Sequence, residues 1–228
     1  MSTLQSRLAD VDQRIDAAIR DAGRSADEVT RIVVTKFHPA SLVRDLAALG
    51  VRDVGENRQQ ELTAKRAELT DLDDLHWHFI GQAQTNKARQ VRAASSIVHS
   101  VDRLRLADAL HAAAPAEDDV LEVLVQVNLT DDPGRGGVAP AELDALTEHI
   151  LSLDSLRLRG IMAVAPLDEA PASAFARLAG YAERVRAIEP TARWISAGMS
   201  HDFAEAIACG ATHLRIGSAI TGERPARG

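Results

Sequence analysis

Eight short runs rich in β-branched residues alternate along this chain with longer stretches whose apolar residues recur every three or four positions. No other feature limits the possible folds as strongly. The strand-like runs fall at 31–35, 51–54, 76–80, 96–99, 120–127, 156–164, 192–196 and 212–216. Helical spacing marks 42–49, 104–113, 143–151 and 175–188 between them. Ahead of the first strand, Leu4, Leu8, Val11, Ile15 and Ile19 predict an amphipathic helix that stops at Gly23, where a left-handed cap would sit. Eight strands alternating with helices is the number that closes a parallel barrel. The expected fold is therefore α/β: one domain over residues 1–228, a (β/α)8 TIM barrel with an extra N-terminal helix. The structural rival, an open doubly wound sheet, would want a Gly-x-Gly-x-x-Gly turn after its first strand, and none follows residue 35. The stretch 131–140, rich in Gly, Pro and Asp, reads as a long loop.

With 46% hydrophobic residues, 228 positions suffice for one large core. The net charge of −7 comes without a Lys/Arg block, so the electrostatic footprint that attracts nucleic acid or an anionic membrane is missing. Aromatics, at 3%, are too scarce to stack single-stranded bases. No apolar run is long enough for a signal segment or a membrane span, and the lone Cys209 cannot form an internal bridge. These features predict a cytoplasmic protein with a small-molecule partner. No helix shows a spare apolar face, so a monomer is expected.

In such a barrel the working residues sit at the C-terminal ends of the strands. Those ends read Lys36; Glu56 and Asn57; Gly81 and Gln82; Ser100; Asn128; Met162; Gly198, Met199 and Ser200; then Arg215, Gly217 and Ser218. The last two groups suggest an anion site. Ser200 stands where a helix over 200–209 would begin with unpaired N–H groups, and Gly217 with Ser218 offers a close backbone approach and a hydroxyl on the adjacent loop. Lys36 is expected against the barrel interior beside Arg215 of the neighbouring eighth strand, a setting that helps an amine lose its proton and attack an aldehyde. His76-Trp77-His78 raises a competing reading as a metal-dependent hydrolase, with His38, His99 and His201 as further ligands. That pair lies short of its strand end, in the layers or on the helix-facing side rather than at the rim, so no metal is expected.

Four stretches together resemble the pyridoxal phosphate homeostasis proteins, single-barrel relatives of the alanine racemase N-terminal domain. They are Val33-Val34-Thr35-Lys36, Gly55-Glu56-Asn57, His78-Phe79-Ile80-Gly81-Gln82 with Asn86-Lys87, and Gly198-Met199-Ser200-His201-Asp202 with Arg215-Ile216-Gly217-Ser218. The resemblance implies pyridoxal 5′-phosphate as cofactor, held as an internal aldimine on Lys36. It also implies that Ser200 and the Gly217 and Ser218 amides grip the phosphate, that Arg215 faces the pyridine nitrogen, and that Asn57 and Met199 belong to the same pocket. Where family members often carry further lysines this chain has His38 and Arg135, and Thr221 replaces a common aromatic. A charged guanidinium at the ring nitrogen weakens the ring as an electron sink. A racemase of this barrel type draws a second, tyrosine base from a separate domain, whereas this chain has one tyrosine, Tyr181, in the helical run before the seventh strand. The expectation is a non-catalytic carrier that stores, buffers or delivers the cofactor to apo-enzymes. An amino-acid racemase on the same cofactor is the alternative.

Overall fold

The computed structural model describes residues 2–116 and 118–223, so the two ends of the expected 1–228 domain lie outside the described residues. Its strands are β1 (Thr30–Val34), β2 (Asp53–Glu56), β3 (His76–Phe79), β4 (Ile97–Val101), β5 (Leu121–Gln126), β6 (Leu156–Met162), β7 (Trp194–Ser196) and β8 (His213–Ile216). Each pairs in parallel with the next, and β8 returns to β1 to close the barrel. The expected fold is the one observed. Helices α1 (Leu4–Asp21), α2 (Ala40–Ala48), α3 (Gln59–Glu68), α4 (Ala88–Ala94), α5 (Leu104–His111), α6 (Leu143–Leu151), α7 (Pro171–Ile188), α8 (Phe203–Ala208) and α9 (Ser218–Thr221) surround it. None of the described helices is long and apolar enough to cross a membrane.

The strand displaced most from its sequence reading is β2, which starts at Asp53 instead of Val51. Gly50 has φ +89°, its N–H bonds the Ala47 carbonyl, and the Val51 N–H bonds the Leu46 carbonyl. That pair of bonds is a Schellman stop, in which Val51 is the apolar residue packed behind the helix end rather than the first residue of a strand. Helices α3 and α4 escaped the periodicity search. The buried face of α3 carries Leu62 and a lysine, Lys65, in place of an apolar stripe.

Most of the core lies between the strands and the helical ring, where Val33, Val54, Trp77, Val98 and Val125 meet Leu46, Leu62, Leu106 and Val185. Inside the barrel the apolar cluster is small: Ile97, Leu124 and Met162, with Trp194 packed against it. Ile32, Val34 and Ile80 meet around Gly55, and beside them the buried His78, His99, Ser196 and Arg215 set up the site described below. The helix after β8 has only four residues, and α1 packs against both α8 and α9. Leu8, Val11, Ile15 and Ile19 form its buried stripe, as the spacing predicts. Arg7 Nε donates to the Ile220 carbonyl at 2.7 Å, and an Arg24 guanidinium nitrogen donates to those of Ile207 and Ala211 at 3.1 and 2.7 Å, so two arginines tie the N-terminal segment to the last two helices and the α8–β8 turn.

Two glycines should respond oppositely to one methyl group. A Cβ on Gly160, which has φ +151°, would lie 1.9 Å from the Trp194 carbonyl oxygen across the β6–β7 pairing, whereas one on Gly180, exposed in α7, meets nothing within 4 Å. Gly160→Ala should therefore cost about 3 kcal/mol or more. Gly180→Ala should add about 0.5–1 kcal/mol of stability. Urea unfolding of both variants checks the contrast, and equal midpoints would contradict it.

Candidate functional site at the C-terminal mouth of the barrel

Four consecutive strand ends carry the residues singled out in the sequence. Pairing of Ile32 with Arg215 and of Val33 with Ile216 sets the end of β8 beside the end of β1. A Cβ on Gly217 would stand 3.7 Å from Val34 Cβ, two residues before Lys36. On one side the Arg215 N–H donates to the Gly198 carbonyl at 2.9 Å, and on the other the Thr35 N–H donates to that of Gly55 at 3.0 Å. The loops bearing Met199 and Ser200, Gly217 and Ser218, Lys36, and Asn57 thus follow one another around the mouth. Lys36, Met199 and Ser218 are exposed, Ser200, Gly217 and Asn57 half-buried, and Arg215 buried.

The burial expected for Lys36 is not found. Its strand ends at Val34, and Lys36 enters a turn in which Phe37 adopts φ +67°, with the ammonium 5.9 Å from the centre of the Phe37 ring. Three groups hold this turn from the α3 side. Glu61 accepts the Phe37 N–H at 2.7 Å, Lys65 Nζ donates to the Thr35 carbonyl at 2.8 Å, and Glu56 accepts the Thr35 hydroxyl at 2.6 Å. Lys65 and Glu56 also form a buried ion pair at 2.5 Å. Burial raises the Glu56 pKa above the ordinary carboxylate value, against the pull of Lys65 and the Thr35 hydroxyl. A bulky residue with left-handed φ costs about 1–3 kcal/mol and persists only where its surroundings over-determine it. Here the clamp does so.

Ser200 likewise departs from its expected setting. Helix α8 begins at Phe203, after Asp202, so Ser200 lies in the preceding turn and caps no helix. The Asp202 carboxylate draws the chain back by accepting the Met199 N–H at 2.6 Å, which commits that amide. Ser218 opens α9, where the Ile220 and Thr221 N–H groups both bond the Gly217 carbonyl. The Ser218 and Ala219 amides, in the first turn, have no acceptor within the helix.

Beneath this rim lies a polar interior. The Arg215 guanidinium donates to Ser196 Oγ at 2.7 Å and to the Ala163 carbonyl at 2.8 Å, and among the described residues it has no ion-pair partner. Burial lowers its pKa to about 10, which leaves it charged at neutral pH. Ser196 Oγ lies 2.9 Å from His99 Nδ1, His99 Nε2 lies 2.8 Å from His78 Nδ1, and His78 Nε2 lies 3.0 Å from Asp53 Oδ1. Desolvation lowers the pKa of His78 and that of His99 further still, and carries His213, stacked on Trp194 with ring centres 4.3 Å apart, down to about 3. Asp53 is pushed up by burial but pulled down more strongly by His78 and His76, so its pKa ends below the ordinary value. The sequence reading placed the His76–His78 pair in the barrel layers or on the helix-facing side. His78 is buried in the layers, whereas His76 is exposed at the opposite end from the mouth. Among the described residues no three His, Cys, Asp or Glu side chains are grouped to hold a metal ion.

Asp53, His78, His99 and Ser196 lie below the rim, away from the strand ends where the sequence places the working residues. The usable signal was parity: His78 precedes Ile80 by two, His213 precedes Arg215 by two, and side chains two apart share a strand face. Among the polar atoms buried without a partner are Glu56 Oε2, Asn57 Oδ1 and Ser100 Oγ. Asn57 borders a cavity of about 780 Å³ together with Phe79, Gln82, Lys87 and Arg103.

The barrel and its rim define a class before any particular family. The family model for the alanine racemase N-terminal domain matches residues 12–225. Alanine racemase from E. faecalis shares the fold at 18% identity, with a TM-score of 0.68 over 92% of this chain and 58% of that one. Much nearer are the pyridoxal phosphate homeostasis protein of Pseudomonas aeruginosa, 42% identical over 98% of this chain and 97% of its own, and that of Escherichia coli, 39% identical over 98% of each. The structure of PipY from Synechococcus elongatus with pyridoxal phosphate bound superposes with a TM-score of 0.85 at 35% identity, over 96% of this chain and 100% of that one. The chain belongs to the pyridoxal phosphate homeostasis protein family.

The neutral imidazoles of the interior set a pH dependence. Unfolded histidines titrate near 6.5, while the folded values of His78, His99 and His213 lie below that, so between those values the unfolded chain binds more protons. Their contribution is complete above about pH 6.5 and is lost as the pH falls. Glu56, shifted upward, works in the opposite sense. Unfolding free energy should drop between pH 7 and 5.5, by up to about 1 kcal/mol for each of the three histidines. Urea titrations at half-unit intervals measure it, and a flat profile would mean that the rings bind protons as readily in the folded protein as in the unfolded chain.

Proposed function

We propose that this chain is a single-domain carrier of pyridoxal 5′-phosphate that buffers the cofactor in the cytoplasm as a monomer and releases it to apo-enzymes. One observation carries the reading. Two neighbouring strand ends, those of β1 and β8, bring an exposed primary amine, Lys36, next to the first-turn amides of α9 and a buried, charged arginine. The residues fit the group: Asn57 Oδ1 and Ser100 Oγ are buried polar atoms still wanting a partner, and Arg215 is held by neutral acceptors rather than by a carboxylate.

Lys36 supplies the amine for covalent capture. Ser200 and the Gly217 and Ser218 amides hold the phosphate, Arg215 faces the pyridine nitrogen, and Asn57 and Met199 line the pocket. Met199 does so with its side chain, since Asp202 takes its N–H. When bound, the cofactor supplies an aldehyde that condenses with amines and a ring that withdraws electrons once its nitrogen is protonated. Arg215 keeps its own charge and disfavours that second proton, which suits holding over turnover. Tyr181 packs on the outer layer beside Arg184, 5.7 Å from its guanidinium carbon, and supplies no base at the mouth.

The purified protein should take up pyridoxal phosphate with a new visible absorption band, and borohydride reduction should fix the label on Lys36. Charge-assisted hydrogen bonds contribute about 1.5–3 kcal/mol each, so Ser200→Ala should speed release roughly tenfold or more without abolishing capture. Label on another residue would refute the Lys36 assignment. Rapid solvent-deuterium exchange at the α-carbon of amino acids, lost in Lys36→Ala, would favour the racemase instead.

A further inference from the structure

The bonds below the mouth can be given a direction. An ionised Asp53 only accepts, so His78 Nε2 must carry a proton and donate it. A neutral imidazole has one N–H, which makes His78 Nδ1 an acceptor and requires His99 Nε2–H to donate to it. His99 Nδ1 is then an acceptor as well, and the only proton available to it is the Ser196 hydroxyl. Ser196 Oγ in turn accepts from the Arg215 guanidinium. Each step forces the next, and every group between the two ends is both donor and acceptor. The opposite polarity would aim a ring lone pair at the Asp53 carboxylate.

We propose that Ser196, His99, His78 and Asp53 form one unidirectional hydrogen-bond relay, running through the barrel from the Arg215 guanidinium to a carboxylate at the far end, and that these four are positioning residues for the pyridine end of the cofactor. The proposal rests on the carrier reading for its ligand, but the relay belongs to the protein alone. Its ends differ in access: Arg215 is buried, whereas Asp53 is 22% exposed and also bonds the exposed His76 at 3.1 Å. Arg215 therefore shares its charge with a carboxylate it does not touch, through polarised neutral groups. The other charged or titratable groups facing the relay are His213 of β8, Glu122 of β5, Arg159 of β6 and Asp202 after β7.

Nitrogen-15 NMR of the histidine rings in the cofactor-free protein tests the direction. His78 and His99 should both be neutral Nε2–H tautomers at pH 7, and an Nδ1–H or doubly protonated ring at either position overturns the relay. Optical titration of the loaded protein tests the consequence. Removing the distant negative charge in Asp53→Asn leaves Arg215 less compensated, which disfavours a proton on the bound chromophore. The midpoint of its visible band should then move to lower pH, on the order of half a unit. Ser196→Ala, which breaks the relay next to Arg215, should move it the same way and weaken binding roughly tenfold. Unchanged midpoints and affinity in both variants, with circular dichroism showing them folded, would reduce the chain to packing. If the wild-type protein takes up no cofactor, the carrier reading fails while the ring tautomers still decide the relay.

Discussion

The parallel pairing of β8 with β1 is the constraint on which the mouth depends. Residues more than 180 positions apart, Ile32 and Arg215, become neighbours through it, and the loops that follow both strands are forced side by side. An open sheet with the same strands would leave Lys36 on one edge and Ser218 on the other. Closure has a cost at that seam, because the last helix is too short to cover the outside of β8. Helix α1 makes up the deficit by packing against α8 and α9 and bonding their carbonyls with Arg7 and Arg24. The N-terminal helix thus supports the β7–β8 side of the mouth, although it contributes none of the residues singled out there.

The polar interior trades stability for orientation. Three imidazoles kept neutral and a guanidinium kept charged inside the barrel all carry desolvation penalties, and apolar side chains share the space. A barrel filled with Leu and Val would avoid those penalties and would hold nothing at its mouth in a fixed direction. The two demands are separated in space. Apolar packing between strands and helices supplies the core, and the inner wall is left free for polar groups whose hydrogen bonds are mutually satisfied.

Fold and family were legible because their signals are periodic or local. Strand alternation, the α1 stripe and the residues after each strand survive translation into three dimensions almost unchanged. What was misjudged depends on how a chain end is tied down. Val51 looked like strand until Gly50 made it a helix stop, and Ser200 looked like a cap until Asp202 took the Met199 amide and delayed α8 by three residues. Lys36 was expected in a dry wall, but the clamp from Glu56, Glu61 and Lys65 turns the chain outward there. The interior relay is a further case, since its members lie on four different strands and no local pattern in one sequence links them.

On the proposed reading, the exposure of Lys36 and the burial of Arg215 answer different needs of a carrier. A lysine sealed in a dry pocket would hold an aldehyde tightly, and water or a competing amine would reach the linkage only after the barrel opened. Lys36 sits instead in a solvent-facing turn, so exchange at the amine requires no unfolding of the core. Selectivity on that reading comes from contacts that do not hydrolyse: a phosphate at the loops after β7 and β8, and a ring end against Arg215, itself bonded to Ser196 Oγ and the Ala163 carbonyl. The Phe37 turn is fixed from α3 through Glu61, which holds the exposed Lys36 at the end of β1, beside the loop that follows β8.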